Sequence, residues 1–235
     1  MTDRHPSLDR PVWHALTSRQ ADLALCRPHA VRFRPAVNLF AAGADQSPES
    51  LAALGEFAAG LPDNATMGLV EAAPHALVPG TKIVSATPID QMVLTRLDAQ
   101  DRSIGHIRLG AADVPAMLAL TALTVPGPFF AETYRQGGYI GMYEAGQLIA
   151  MAGQRMRLPG FTEVSAVCTH PDYQGRGLGR ALMEAVIAPI LAQGEAAFLH
   201  CYPDNPAVRL YEALGFRYRT TMTYTVLSRD NAFSR

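Results

Sequence analysis

The stretch richest in chemical possibility is Val167-Cys168-Thr169-His170-Pro171-Asp172-Tyr173-Gln174-Gly175-Arg176-Gly177-Leu178-Gly179-Arg180, where a strand-like run gives way to spaced glycines and two arginines. Glycines let a backbone approach a ligand closely, because no side chain occupies the ligand's volume. If a helix begins where this loop ends, its first N–H groups have no intrahelical acceptor and its dipole adds partial positive charge. An anion such as a phosphate would satisfy them. Two common phosphate loops are excluded by the residues themselves. A Walker A loop needs Gly-Lys-Ser/Thr, and the single lysine of the chain is Lys82. The dinucleotide fingerprint G-x-G-x-x-G/A ends on Arg180 in one register and Leu182 in the other, so both fail. What remains is Gln174-x-x-Gly177-x-Gly179 with Arg176 and Arg180 interleaved.

Such a loop needs a strand before it and a helix after it. The β-branched, half-alternating run Phe161–Thr169 supplies the strand, and an apolar run through about Leu191 supplies the helix. Upstream, Tyr139–Tyr143 and Leu148–Arg157 flank a turn at Glu144-Ala145-Gly146 and read as a hairpin. Ile104–Leu109 reads as a strand, Ala112–Thr124 as a helix, and Phe129–Gln136 as a short second helix. Downstream, Ala196–Cys201 is a strand and 216–227 holds the closing strands. Before the polar stretch 98–103 the rhythm differs. Ala21–Cys26 and Ala30–Pro35 predict a hairpin, Ser47-Pro48 caps a helix through about Ala59, and Thr66–Glu71, Lys82–Ala86 and Gln91–Leu97 predict strands. The expected organisation is an N-terminal α+β lobe over 1–102, which covers or extends the neighbouring cleft, and a second domain over 103–235.

Composition narrows the classes. The chain has 235 residues, 49% hydrophobic and 17% charged, with a formal net charge of −1 and a pI near 6.6, which describes a packed globular protein. No apolar run reaches a membrane span, the first twenty residues carry no secretory pattern, and cytoplasmic residence is expected. Basic residues are scattered, which argues against a nucleic-acid partner. Cys26, Cys168 and Cys201 are odd in number and widely spaced, fitting neither disulfides nor a zinc ribbon, and the histidines lack metal-ligand spacing. No metal is expected.

A second block, Asn205-Pro206-Ala207-Val208-Arg209-Leu210-Tyr211-Glu212-Ala213-Leu214-Gly215-Phe216, follows the loop in the order and at the spacing of one known family. Together the two blocks resemble the GNAT (Gcn5-related N-acetyltransferase) superfamily, with Val164–Arg180 most similar to its FR47-like, glycine N-acyltransferase-related branch. The resemblance covers about Ile104 to Leu227. It implies an α/β (α+β) acyl-CoA N-acyltransferase fold, with a mixed, mostly antiparallel sheet whose central strands splay apart. It also implies acetyl-CoA as cosubstrate and a primary amine of a small molecule or amino acid as acceptor, in a monomer or homodimer. A module that binds acyl-CoA without turning it over is the alternative.

The resemblance also implies roles. Val167, Cys168 and Thr169 offer main-chain groups to the pantetheine arm. Gly175, Arg176, Gly177, Leu178, Gly179 and Arg180 face the pyrophosphate, Gln174 shapes the loop, and Asn205 binds the pantetheine or fixes the splayed strand. Tyr211 corresponds to the tyrosine that protonates the departing thiolate. Glu163, eleven residues before Gln174, is spaced as the general base of the histone acetyltransferase branch and is expected to face the acceptor cleft, where burial would raise its pKa toward that duty; a relayed water is the alternative base. A strand amide at Val167 or Cys168 receives the carbonyl oxygen. The Cys168 thiol is expected to be a core residue and not a nucleophile. Phe129, Phe130 and Tyr134 are expected to line the acceptor site, which suits a hydrophobic amine better than a polycation.

Overall fold

The computed structural model describes residues 5–98 and 105–230. Its frame is an eight-stranded sheet in the order β4-β11-β5-β10-β9-β8-β7-β6. These strands are β4 (Thr66–Glu71), β5 (Thr81–Leu94), β6 (Ile107–Arg108), β7 (Ile140–Glu144), β8 (Gln147–Leu158), β9 (Phe161–Thr169), β10 (Ala196–Cys201) and β11 (Arg217–Arg229). Every neighbouring pair is antiparallel except β9 with β10, which run parallel because helix α5 (Leu178–Ala192) crosses between them. A three-stranded antiparallel sheet, β1 (Ala24–Arg27), β2 (Ala30–Phe33) and β3 (Ala41–Gly43), is linked to it by the isolated bridge Phe40–Gly68.

Short helices α1 (Pro6–Asp9) and α2 (Pro11–Leu16) precede the small sheet, and α3 (Pro48–Ala59) follows it. The Ser47 hydroxyl accepts from the Ser50 N–H (3.3 Å), so α3 starts at the serine cap that the sequence predicts. α3 buries Ala53, Leu54, Phe57 and Ala58 against Met67, Leu69 and Leu227, while α5 buries Leu182, Met183, Val186, Ile187 and Ile190 against Ile149, Val164 and Leu199. Helix α4 (Val114–Thr124) covers Tyr139, Leu148 and Met151 through Met117 and Leu120.

The two strands predicted at Lys82–Ala86 and Gln91–Leu97 are one strand, β5. Pro88 does not break it, because β10 pairs with β5 only from Asp90 onward and leaves the Pro88 segment an edge on that side. The short helix expected over Phe129–Gln136 is only a 3-10 turn, Thr133–Gln136. The Thr133 hydroxyl donates to Val37 C=O (2.7 Å) and accepts from the Phe130 N–H (2.8 Å), replacing helical bonding with a turn.

The expected boundary at 102/103 lies outside the described residues. On either side of it the chain contributes to one sheet: β4 pairs with β11, and β5 lies between β11 and β10. One apolar cluster joins Leu8, Phe33, Phe40, Val70 and Ile89 to Met156, Phe161, Phe198 and Met222. The first hundred residues therefore share their core with the last hundred.

Candidate active site

β9 and β10 are paired only at Phe161–Ala196, Thr162–Ala197 and Phe198–Glu163; beyond them β10 pairs with β5 alone and β9 with β8 alone. The strands part from Val164 and Leu199 onward. A cavity of about 470 Å³ fills the gap, bordered on one side by Val164, Ser165, Ala166, Val167, Cys168 and Thr169 and on the other by Leu199, His200 and Cys201. On β9 one extra residue is inserted opposite β8 between Ser165 and Cys168, and Ala166 takes a left-handed φ of 52°. Such a bulge bends the strand and frees backbone groups from the ladder.

At the outer end of β9, Gly175 (φ 76°) and Gly177 (φ 77°) turn the chain into α5. The first intrahelical bond runs from the Ala181 N–H to Gly177 C=O (3.2 Å), so the N–H groups of Leu178, Gly179 and Arg180 precede it. A Cβ on Gly179 would lie 3.8 Å from Thr169 Oγ1 and 4.0 Å from Val167 Cγ1, so glycine there keeps the space between loop and strand open. The donor set and the cleared space fit a pyrophosphate at the loop and an extended chain along β9.

The two arginines of the loop differ. Arg180 is tied down: Nε donates to Glu184 Oε1 (2.8 Å) and Nη2 to Asp98 C=O (2.9 Å) and Ala213 C=O (3.3 Å). Its side chain clamps α5 to the backbone at Asp98 and Ala213, leaving only its N–H for an anion. Arg176 is half exposed, stacks over Tyr173 (4.6 Å) and approaches Glu144 at 3.9 Å.

Helix α6 (Val208–Leu214) starts where Asn205 Oδ1 accepts from the Ala207 N–H (2.8 Å), and it carries Tyr211 to the cavity. Gln174 and Asn205 also border it. The Tyr211 hydroxyl has no hydrogen-bond partner among the described residues; burial, with a smaller contribution from Cys201, pushes its pKa up to about 12. It is protonated at neutral pH. The Cys168 thiol is raised to about 11 by burial, which keeps it a thiol and agrees with its expected core role.

Glu163 is not where expected. Its carboxylate is fully buried, does not border the cavity, and has its lone pairs taken. Arg155 Nε donates to Oε2 (2.8 Å), Arg155 Nη2 to Oε1 (2.5 Å), His200 Nδ1 to Oε1 (2.8 Å) and the Met156 N–H to Oε2 (3.3 Å). Burial alone would raise its pKa, but the Arg155 charge and the hydrogen bonds outweigh burial and hold it at about 2. A carboxylate so held is a fixed counter-charge. His200 is engaged on both nitrogens. Gln91 Nε2 donates to Leu8 C=O (2.9 Å) and to His200 Nε2 (3.0 Å), while Arg219 Nη1 donates to Gln91 Oε1 (2.8 Å). With the Gln91 amide so oriented, the network assigns the His200 proton to Nδ1.

Phe129, Phe130 and Tyr134 do not border the cavity. Phe129 meets Tyr139 edge to face at 5.6 Å, and it packs with Tyr134 on the cluster under α4. Pro126, Gly127 and Pro128, just before them, do border it. Much of the remaining wall comes from residues that no motif marks, among them Phe40, Val70, Ile89, Arg155, Tyr202 and Tyr224. Phe40 meets Tyr224 edge to face at 5.8 Å and carries the Arg155 guanidinium at 5.2 Å from its ring centre. Among the described residues, no three His, Cys, Asp or Glu converge as a metal-binding group, and no helix is long and apolar enough to cross a membrane.

Comparison with known proteins agrees with this geometry. Residues 139–226 match the FR47-like protein family. Over 97% of its length the chain superimposes on all of an acetyltransferase of the GNAT family from Novosphingobium aromaticivorans, with a TM-score of 0.86 and 42% identity. A GCN5-related N-acetyltransferase from Kribbella flavida shares the fold at 19% identity, with a TM-score of 0.60 over 93% of this chain and 95% of that one. N-alpha-acetyltransferase RimI of Mycobacterium tuberculosis is 32% identical over 134 residues, 55% of this chain and 79% of that one. A mycothiol acetyltransferase of Nocardiopsis dassonvillei is 36% identical over 110 residues, 46% of this chain but 33% of its own length. The chain belongs to the GNAT superfamily and is an N-acetyltransferase.

Proposed function

We propose that the protein transfers the acetyl group of acetyl-CoA to a primary amine of a small molecule or amino acid, by direct attack within a ternary complex. The observation that carries this reading is the meeting, around one cavity, of the parted β9 edge, Gln174 at the start of the glycine loop and the unpartnered Tyr211 hydroxyl. Acetyl-CoA supplies the thioester. The N–H groups of the first α5 turn hold its pyrophosphate, and β9 from Val167 to Thr169 hydrogen-bonds its pantetheine arm. A backbone N–H at Val167 or Cys168 receives the carbonyl oxygen, and Tyr211 donates its proton to the leaving sulfur.

Glu163 is not the base in this scheme. A carboxylate held at about 2 is too weak a base to take a proton from an ammonium group, and four donors already surround it. Water takes the amine proton. Arg155, balanced by Glu163, is the one charged side chain among the described residues bordering the cavity, so no carboxylate there stabilises an ammonium form. The same lack of acidic lining disfavours polyamines and other polycations. The walls of Phe40, Tyr202 and Tyr224 suit an apolar or aromatic body on the acceptor.

The test is free-thiol release from acetyl-CoA across amino acids, small aromatic amines, polyamines and peptides, with acetyl-CoA binding followed by calorimetry. Release with small amines or amino acids, and not with polyamines, is expected. Tight binding with no release across the panel would replace this reading with a non-catalytic acyl-CoA-binding module.

A further inference from the structure

We infer that Arg155 is an anion-recognising residue of the acceptor site, and that the preferred acceptor carries a carboxylate beside its amine. The inference rests on the acetyl-transfer reading above and names the acceptor within it.

Gln154 pairs with Val164 and Arg157 with Thr162, so β8 carries one more residue than β9 across this interval, and Arg155-Met156 form a bulge. A bulge re-aims the side chains it contains. Both edges of this one are held in place. The Met156 N–H, freed from the ladder, donates to Glu163 Oε2, and the side chain of Gln20 bonds the opposite edge like a short strand. Gln20 Nε2 donates to Arg155 C=O (2.8 Å) and its Oε1 accepts from the Arg157 N–H (3.0 Å). The bulge that aims Arg155 is therefore built in, and a residue of the N-terminal segment completes it.

The guanidinium is fixed as firmly. Glu163 takes Nε and one edge of Nη2, and the Phe40 ring lies 5.2 Å away. Nη1 has no hydrogen-bond partner among the described residues, and it is not sealed in the interior. Since Arg155 borders the cavity, the free donors of a preorganised fork meet whatever enters. No acidic side chain borders the cavity to compete with an incoming anion, and Tyr224, whose hydroxyl also lacks a partner among the described residues, stands beside Phe40. A carboxylate that accepts from Nη1 would leave the rest of the acceptor against Phe40, Tyr202 and Tyr224. A zwitterionic amino acid with an aromatic or aliphatic side chain satisfies all three demands: an anion for Arg155, an apolar body for the rings, and an amine.

Two readouts test this. Calorimetry with CoA present compares 3-phenylpropanoate with its uncharged amide; neither has an amine, so turnover plays no part. The carboxylate is expected to bind wild-type protein at least tenfold more tightly than the amide. Arg155→Lys, which keeps a charge opposite Glu163 but loses the fork, should reduce that ratio severalfold. The pair Arg155→Met with Glu163→Gln leaves no lone buried charge and should abolish it, with acetyl-CoA affinity unchanged in both. Thiol release then compares phenylalanine with phenethylamine and phenylalaninamide, and phenylalanine is expected to lead by a similar factor in kcat/KM. Equal binding of carboxylate and amide, no binding of either, or a preference that survives both substitutions overturns the role of Arg155. Transfer to all three amines alike would overturn it while leaving acetyl transfer standing. Arg155-dependent carboxylate binding with no thiol release from any acceptor would keep the subsite and overturn the transfer reading.

Discussion

Replacing Glu163 with glutamine separates a base from a counter-charge more sharply than any other single change. A carboxyl shifted from 4.5 to about 2, at about 1.36 kcal/mol per unit, contributes about 3 kcal/mol to folding at neutral pH. The sign follows from the depressed folded-state value: the contribution is full above the unfolded pKa and is lost as pH falls from about 5 through about 2. Glutamine cannot compensate Arg155, whose buried guanidinium loses its partner, and about 3–5 kcal/mol is the usual cost of breaking a buried pair. Urea unfolding at pH 7, 5 and 3 reads both effects. Wild-type protein should lose stability steeply toward pH 3, whereas Glu163→Gln should start several kcal/mol lower and show a shallower decline. Activity of the protein that remains folded should fall mainly through a raised acceptor KM, since Arg155 loses its tether, and the acid limb of kcat/KM should stay where the acceptor amine puts it. A general base would give the opposite pattern: near-native stability, kcat reduced by orders of magnitude, and disappearance of the acid limb. That result would refute the counter-charge reading.

Tyr211→Phe should lower kcat by one or more orders of magnitude with acetyl-CoA affinity within a fewfold of wild type; because the hydroxyl has no partner among the described residues, thermal stability should be unchanged or slightly higher. With its pKa near 12, Tyr211 should impose no alkaline decline in wild-type kcat at pH 10, where an ordinary tyrosine would be half ionised. Gly179→Val should weaken acetyl-CoA binding by tenfold or more in calorimetry, since the added methyls project toward Thr169 and Val167, while Gly179→Ala should be tolerated better because its Cβ meets nothing closer than 3.8 Å. Gln20→Ala should cost about 1–3 kcal/mol in denaturant unfolding, leaving a buried Arg155 carbonyl and Arg157 N–H short of partners, and should raise acceptor KM with acetyl-CoA affinity unchanged.

What the sequence discloses and what it hides have physical reasons. The glycine loop is written locally: its glycines, strand and helix are contiguous between Phe161 and Ala192, so spacing alone places these elements. Asn205 and Tyr211 are legible for the same reason, a cap and a short helix within ten residues. The acceptor side is different because it is assembled from distant segments. Phe40 lies beside β3, Val70 on β4, Ile89 on β5, Arg155 on β8 and Tyr224 on β11, and only the strand order brings them together. Nothing local marks Phe40 as a wall, whereas Phe129 and Phe130, conspicuous as an aromatic pair, lie outside it.

Glu163 shows why a residue type and a spacing do not suffice. A glutamate in an apolar strand must be either a poised acid-base group or one half of a satisfied pair, and the residues that decide between them are Arg155, eight positions earlier, and His200, thirty-seven later. Arg155 lies on β8 and His200 on β10, so no periodicity along β9 points to either. The β8 bulge also places Arg155 at the cavity, so one inserted residue both brings the Met156 N–H to Glu163 and gives the cavity its only bordering charged side chain among the described residues. If that is the purpose of the bulge, restoring register should undo both. Deleting Met156 should release Glu163 from its N–H donor and turn Arg155 away from the cavity, and loss of carboxylate selectivity with retained acetyl-CoA binding is the expected result; unchanged selectivity in a folded deletion variant would break the link between the bulge and the site.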